Sequence, residues 1–425
     1  MSLHFPIVDW YRASNIYEIN IRQYTPEGTF KAFQKHLPRL KDMGIEILWF
    51  MPITPISVTN RKGTLGSYYA CSSYTQINPE FGNMDDFKDL VQNAHDLGFK
   101  VIIDWVANHT GVDHEWTETH PDYYLKDAQG NFVEINGWDD AIDLNYENPA
   151  MRKALIDAMI FWVKNVDIDG FRCDMAHLVP LDFWVEAREE CDQVKKLFWL
   201  AECDSDNYLE VFDVNYAWGW MHATNDLAQN PTIGLHGIYP FLQADLIKLP
   251  NAFKLWFTSN HDENSWNGTE YDKYGKYALT WAVFSCLFPG MPLIYSGQEI
   301  PNQKKLAFFE KDTLEWLTNN LPALHTFYQT LLHFRKSNIC FDTDATCTLI
   351  SNEYSDRILA FILSKNGQAV IALFNFSNEN IANYEISSEH LNKPFVSLFS
   401  GMEYVFQAKE QFALMPSEYL VYYSK

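Results

Sequence analysis

GFRCDMAH, residues 170–177, decides how this chain folds. It follows an apolar helical stretch and opens like a buried strand, yet Arg172 and Asp174 arrive within its first five residues. Side chains alternate faces along a strand, so Arg172 and Asp174 share one side while Phe171 and Cys173 take the other. A buried carboxylate without partners is costly. This strand should therefore end at a polar rim, and the next question is whether other strands end there too.

Seven further short runs rich in Val, Ile, Phe and Trp fit the same reading: IYEINI (16–21), IEILWFM (45–51), KVIIDWV (100–106), LFWLAE (197–202), VFDVNYAW (211–218), KLWFTS (254–259) and PLIYSG (292–297). They are continuous rather than alternating, as expected of parallel strands covered on both faces. Amphipathic helices lie between several of them. Phe30, Phe33, Leu37, Leu40 and Met43 recur at helical spacing before Gly44, and Pro38 should kink or split that helix. Phe87, Leu90, Val91, Ala94 and Leu97 repeat the pattern, as do Ala154, Leu155, Ala158, Met159 and Trp162. Eight strands alternating with helices predict an α/β fold, a (β/α)8 TIM barrel occupying 1–109 and 144–339.

Two stretches depart from that rhythm. Residues 110–143 are too polar for a core helix and far longer than the usual βα loop of about 2–6 residues; they read as an inserted subdomain after the third strand. From 340 to 425, RILAFILSK, AVIALFNFS, FVSLFSG and LVYYSK read as strands joined by Gly and Asn turns, predicting a C-terminal antiparallel β-sandwich.

Composition limits what such a barrel binds. Apolar residues make up 47% and charged residues 20% of the 425, a globular balance. The net charge of −23 argues against nucleic acid, which calls for a basic footprint, and against anionic membranes. Tyr and Trp, 23 and 14 of them, suit stacking on amphipathic rings, though most should simply fill the core. The seven cysteines, at 71, 173, 191, 203, 286, 340 and 347, form no CxxC pair or zinc spacing. Free thiols favour a reducing, cytoplasmic setting. MSLHFPIVDWYRAS has neither a basic n-region nor a long apolar h-region, and no apolar run approaches the roughly 18 residues of a membrane span. An exported protein with its signal trimmed fits the same observations.

Barrel chemistry sits at the C-terminal strand ends. Four carry ionisable groups together: Asp104 with Asn108 and His109; Arg172 with Asp174; Glu202; and His261 with Asp262. One such end is easily a structural ion pair; four on one rim point to a polar site. Two carboxyls at a sugar-sized site suggest glycosidic cleavage, one ionised as nucleophile and one keeping its proton. At about 4 Å and an effective dielectric near 20, Arg172 attracts Asp174 by about 4 kcal/mol, which should hold that carboxyl below its usual range. Glu202, with no cation near it in sequence, should be raised by burial, as a general acid requires.

DWVANH (104–109), GFRCDMAH (170–177), AECD (201–204) and TSNHDEN (258–264), in that order on those strands, resemble the α-amylase superfamily of retaining α-glycoside hydrolases and transglycosylases. The resemblance runs from about residue 15 to about 300, and the ordered set is far more specific than any one motif. It implies Asp174 as nucleophile, Glu202 as acid/base and Asp262 as the third carboxylate, which binds sugar hydroxyls and stabilises the transition state. It implies Arg172 as the residue orienting the nucleophile, His109 and His261 as ligands of the sugar at the cleavage point, and Asp104 as a structural partner of Arg172. Tyr69, in GSYYACSSY, looks like the tyrosine that stacks beneath that sugar. His177 stands between a contact on the leaving-group side and mere structure. Trp105, Trp218 and Trp266 are candidate walls, while Gln298 and Glu299 read as structural.

The chain also leaves the family pattern. QYTPEGTF (23–30) holds one carboxylate, Glu27, where many members have a calcium loop, and calcium wants about six to eight oxygens. A second calcium site would use Asn108, with Leu178 standing where classical members have His. No metal or other cofactor is therefore expected, calcium at the second place being the one open case. Met175, after the nucleophile, matches neither the Ala nor the Val that tracks linkage in some subfamilies. The expectation is a retaining hydrolase of α-1,4 bonds in starch-derived oligo- or polysaccharides. The rivals are a transglycosylase or isomerase using the same intermediate, and a non-catalytic carbohydrate-binding relative, which the three intact carboxylates disfavour.

Overall fold

The computed structural model describes residues 5–11, 13–247, 253–316 and 321–424, so residues 1–4 and 12 of the N-terminal stretch read above lie outside it. Eight parallel strands close a barrel: β1 (Ile16–Ile19), β2 (Ile47–Phe50), β3 (Lys100–Trp105), β4 (Gly170–Cys173), β5 (Phe198–Ala201), β6 (Val214–Tyr216), β7 (Phe253–Trp256) and β8 (Met291–Tyr295), with β8 pairing back onto β1. Each of the eight apolar runs supplies one strand.

Helices Met84–Asp96, Pro149–Val166 and Leu181–Val194 cover the barrel where amphipathic periodicity placed them or between strands that require a crossover. The first helical stretch is split into Phe30–Gln34 and Leu37–Met43, with Pro38 in the opening turn of the second piece. There its missing N–H costs nothing. The alternation is broken between β5 and β6, where the described chain makes only a 3₁₀ turn, Asp206–Glu210.

Gly170 fixes how β4 meets β5. It pairs with Phe198, and a Cβ built on it would stand 2.1 Å from the Phe198 carbonyl oxygen. Only glycine allows that approach. On the other side of β4, the pairing with β3 places Asp104 beside Arg172.

Residues 109–146 rise from the rim after β3. They are anchored by an antiparallel ladder, His109–Gly111 with Ala141–Asp143, and carry a one-turn helix, Trp116–Thr119. After helix His325–Ser337 the chain forms a six-stranded sheet containing β9 (Thr346–Leu349), β10 (Ile358–Lys365) and β11 (Gln368–Asn375). A two-stranded ladder, Ile381–Ser387 with Lys409–Leu414, packs on one face of that sheet through Ile358, Ile362, Ile371, Phe412 and Leu414. The other face, Leu359, Phe361, Val370, Ala372 and Phe374, joins the core of the barrel.

Candidate active site

Arg172 is the hub of the barrel mouth. It is fully buried, and Nη1 donates to Asp174 Oδ1 at 2.8 Å and to Asp104 Oδ1 at 2.9 Å. Nη2 lies 2.7 Å from Glu202 Oε2 as an ion-pair contact, and Nε donates to the Tyr216 hydroxyl at 3.3 Å. Asp104 also accepts from Trp49 Nε1 at 3.2 Å and from the Tyr69 hydroxyl at 3.1 Å, so it is satisfied from three sides.

One guanidinium facing three carboxylates changes their protonation. Burial is the largest influence on Asp174 and pushes it above the usual carboxylate range, with Arg172 pulling the other way. This corrects the expectation of a lowered Asp174: the carboxyl is deeply rather than modestly buried, and the cation is divided among three partners. Asp104 is driven up to about 7 by the same cause. Glu202 is raised by burial, as expected, although a cation does stand beside it in space.

The turn after β4 holds Glu202 in place. Met175 lies in the left-handed region (φ +40°), a conformation bulky residues rarely adopt. That backbone turns its N–H onto Glu202 Oε2 at 2.9 Å, while Ala176 N donates to the Glu202 carbonyl at 3.2 Å.

Opposite them stands His261. Nδ1 meets Glu18 Oε1 at 2.5 Å, and Nε2 meets the Tyr69 hydroxyl at 2.7 Å and Asp262 Oδ2 at 3.3 Å. Burial alone would lower this ring's pKa, but Asp262 and Glu18 outweigh it and hold it at about 9. The ring is therefore an imidazolium at neutral pH. Tyr69 stacks on it with centroids 5.3 Å apart. His109, whose pKa burial depresses, takes an Asn108 amide contact at 3.3 Å and packs against Trp138.

These groups line a cavity of about 270 Å³ that brings together Asp174, Glu202, Asp262, Tyr69, His109 and His261. Arg172 and Asp104 support it from beneath. His177 does not join them. It is exposed on the turn Ala176–Leu178, outside the lining, because that turn directs its side chain to solvent. Of the three tryptophans, Trp266 lines the cavity, Trp105 is buried beneath and Trp218 is absent from the lining. Gln298 bonds Thr258 and Glu270, and Glu299 pairs with Arg39 and Tyr17. The cavity also takes Lys62, Trp138, Asp140, Phe308 and Phe309, which no motif marks. Glu18 had a signal that went unused: it is the one charge inside an apolar strand, as in GFRCD.

Asn108 Nδ2 donates to Asp143 Oδ1 at 3.3 Å.

A closed eight-stranded barrel with an Arg-linked set of carboxylates at its mouth defines the class. The sequence model described as alpha amylase, catalytic domain, matches residues 11–138 and 124–321, and the chain belongs to that family. Among curated relatives, it is 26% identical over 390 residues to the alpha-amylase MalA of Haloarcula japonica, covering 87% of this chain and 56% of that one. The chain thus spans about half the length of that relative. Among solved structures, it matches the noncanonic maltogenic alpha-amylase AmyB of Thermotoga neapolitana with a TM-score of 0.89 and 29% identity, covering 97% of this chain and 99% of that one. An alpha-amylase from Lactobacillus plantarum matches with a TM-score of 0.86 and 28% identity, covering 97% and 99%. No helix among the described residues is long and apolar enough to cross a membrane.

Proposed function

We propose that the chain is a retaining glycoside hydrolase that cleaves α-1,4-glucosidic bonds of starch-derived oligosaccharides. The observation that carries this reading is the single guanidinium of Arg172 reaching both Asp174 and Glu202 at the cavity floor. Two carboxyls bound to one guanidinium lie close together, as the retaining geometry of about 5–5.5 Å requires.

In this reading Asp174 attacks the anomeric carbon while Glu202 gives its proton to the departing oxygen. Burial raises Glu202 above its ordinary range, the direction a general acid requires. Arg172 aims Asp174. Asp262 and the His261 imidazolium bind sugar hydroxyls, Tyr69 stacks beneath the ring, and neutral His109 offers one more hydrogen bond. Water then enters, Glu202 takes its proton, and the ester on Asp174 is released, leaving the anomeric configuration unchanged overall. The same ester passed to a sugar gives the transglycosylase reading, and nothing in the cavity floor favours it. The seven cysteines stand as free thiols, which supports a reducing, cytoplasmic setting.

Asp174→Asn and Glu202→Gln test the assignment on maltooligosaccharides. Each should lower kcat by roughly a thousandfold or more while circular dichroism stays unchanged. Near-normal turnover by either folded variant would overturn it.

A further inference from the structure

The loops that wall the cavity come from one side of the barrel. Lys62 belongs to the loop after β2, Trp138 and Asp140 to the segment after β3, Trp266 to the loop after β7, and Phe308 and Phe309 to the loop after β8. On the other side, no described residue of 203–247 reaches the cavity. Glu202 and Met175 stand at that open edge.

The walled side is bolted shut. The Lys62 ammonium sits 3.0 Å from Asp140 Oδ1, and Asn60 Nδ2 donates to the Asp139 carbonyl at 3.2 Å. At the other end of the same loop, Thr64 N donates to Glu310 Oε1 at 2.9 Å and Leu65 N to the Phe309 carbonyl at 3.0 Å. Gly63 lies between these two anchors with φ +61°, and a Cβ there would come within 2.6 Å of Phe309 and Glu310. Residues 60–65 therefore form a strap joining the loops after β3 and β8 across the β2 side. Asp140 is largely shielded from water, so its pair with Lys62 is less screened than a surface pair.

The chemistry gives the two sides a direction. If Glu202 protonates the departing oxygen, the leaving part of the substrate lies on the open side. The sugar held by Asp174, Tyr69, His109 and His261 lies toward the strap. Units beyond that sugar would run into the Lys62–Asp140 pair. The cavity, about 270 Å³, is already below the roughly 300–1,000 Å³ of drug-sized ligand sites.

From this we infer that the 60–65 strap, held by the Lys62–Asp140 and Thr64–Glu310 contacts, closes the non-reducing side of the site. The enzyme then acts on chain ends, releasing a glycone of a single sugar rather than cutting within a glucan. The inference rests on the assignment of Asp174 and Glu202 proposed above.

The test uses maltoheptaose labelled at its reducing end, in one sample free and in another blocked by an ethylidene group at its non-reducing end. The free form should yield, at early times, one labelled product shortened by a single sugar. The blocked form should be cleaved at least about 100-fold more slowly, since the block meets the strap. The pair of substitutions Lys62→Ala and Asp140→Ala should narrow that gap about tenfold, a change of about 1.4 kcal/mol in discrimination. Equal cleavage of free and blocked chains by the unaltered protein, or labelled fragments of every length at early times, would overturn the strap's role and leave the hydrolase assignment standing. Cleavage of neither form would overturn the hydrolase assignment and this inference with it.

Discussion

Arg172 cannot neutralise Asp104, Asp174 and Glu202 together, so burial lifts all three above the ordinary carboxylate range. His261 is the counterweight across the cavity: its imidazolium is held between Glu18 and Asp262. The folded ring titrates at about 9, above the ordinary imidazole value. Its contribution to stability is therefore complete below about pH 6.5 and is lost as pH rises through about 9, to the extent of about 3 kcal/mol. Glu18→Gln removes the partner at 2.5 Å and should flatten this loss. Urea denaturation of wild type and variant between pH 6.5 and 9 measures it, and parallel curves would show that Glu18 does not hold the ring. The motif residues were legible because each is a charge where a buried strand should be apolar. Glu18 obeys the same rule within IYEINI. The direction of Asp174 was not legible, because spacing reveals that Arg172 is near and not that Asp104 and Glu202 share it.

At the scale of elements, all eight barrel strands could be read from continuous apolar runs, since a strand covered on both faces has no polar side to show. The interval between β5 and β6 could not be read as a turn, because counting assumed a helix where Asp206–Glu210 makes only a 3₁₀ turn. Phe308, Phe309 and Trp138 were hidden for a different reason. Loop aromatics carry no periodicity, and only the tertiary fold turns them inward. Gly170 shows the reverse, a residue whose small size matters more than any side chain. With the Phe198 carbonyl 2.1 Å from a prospective Cβ, neither backbone can yield without parting β4 from β5. Gly170→Ala should destabilise the protein by at least about 2 kcal/mol, and more if β4 shifts. It should also lower kcat, because Asp174 and Arg172 ride on the same strand. Thermal melting and turnover test both; an unchanged melting temperature would show that the strand pair absorbs the methyl group freely.

Across the whole molecule, the barrel and the C-terminal sheet share one core. Helix Ala278–Leu287 has nine buried residues of ten, which a helix covered on one side only cannot reach. Its outer face is met by the sheet. Trp281 stacks on Phe376 at 3.8 Å, Phe284 packs on Phe374 at 5.7 Å, and Phe288 meets Phe361 at 5.4 Å. Thr280 Oγ1 donates to the Ser417 carbonyl at 2.6 Å, tying the same helix to the last strands. Removing the sheet would strip a continuous aromatic face and leave it to water, a patch of the kind that drives aggregation. A chain ending at residue 340 should therefore fail to stay soluble, and the full chain should melt in one calorimetric transition whose van't Hoff and calorimetric enthalpies agree. Trp281→Ala probes the joint without removing it. It should cost about 3–5 kcal/mol through the cavity it leaves. Because Trp281 is not among the residues lining the mouth, KM should hold while stability falls. A soluble, active barrel ending at 340, or two separate transitions in the full chain, would show that the sheet is carried by the barrel without supporting it.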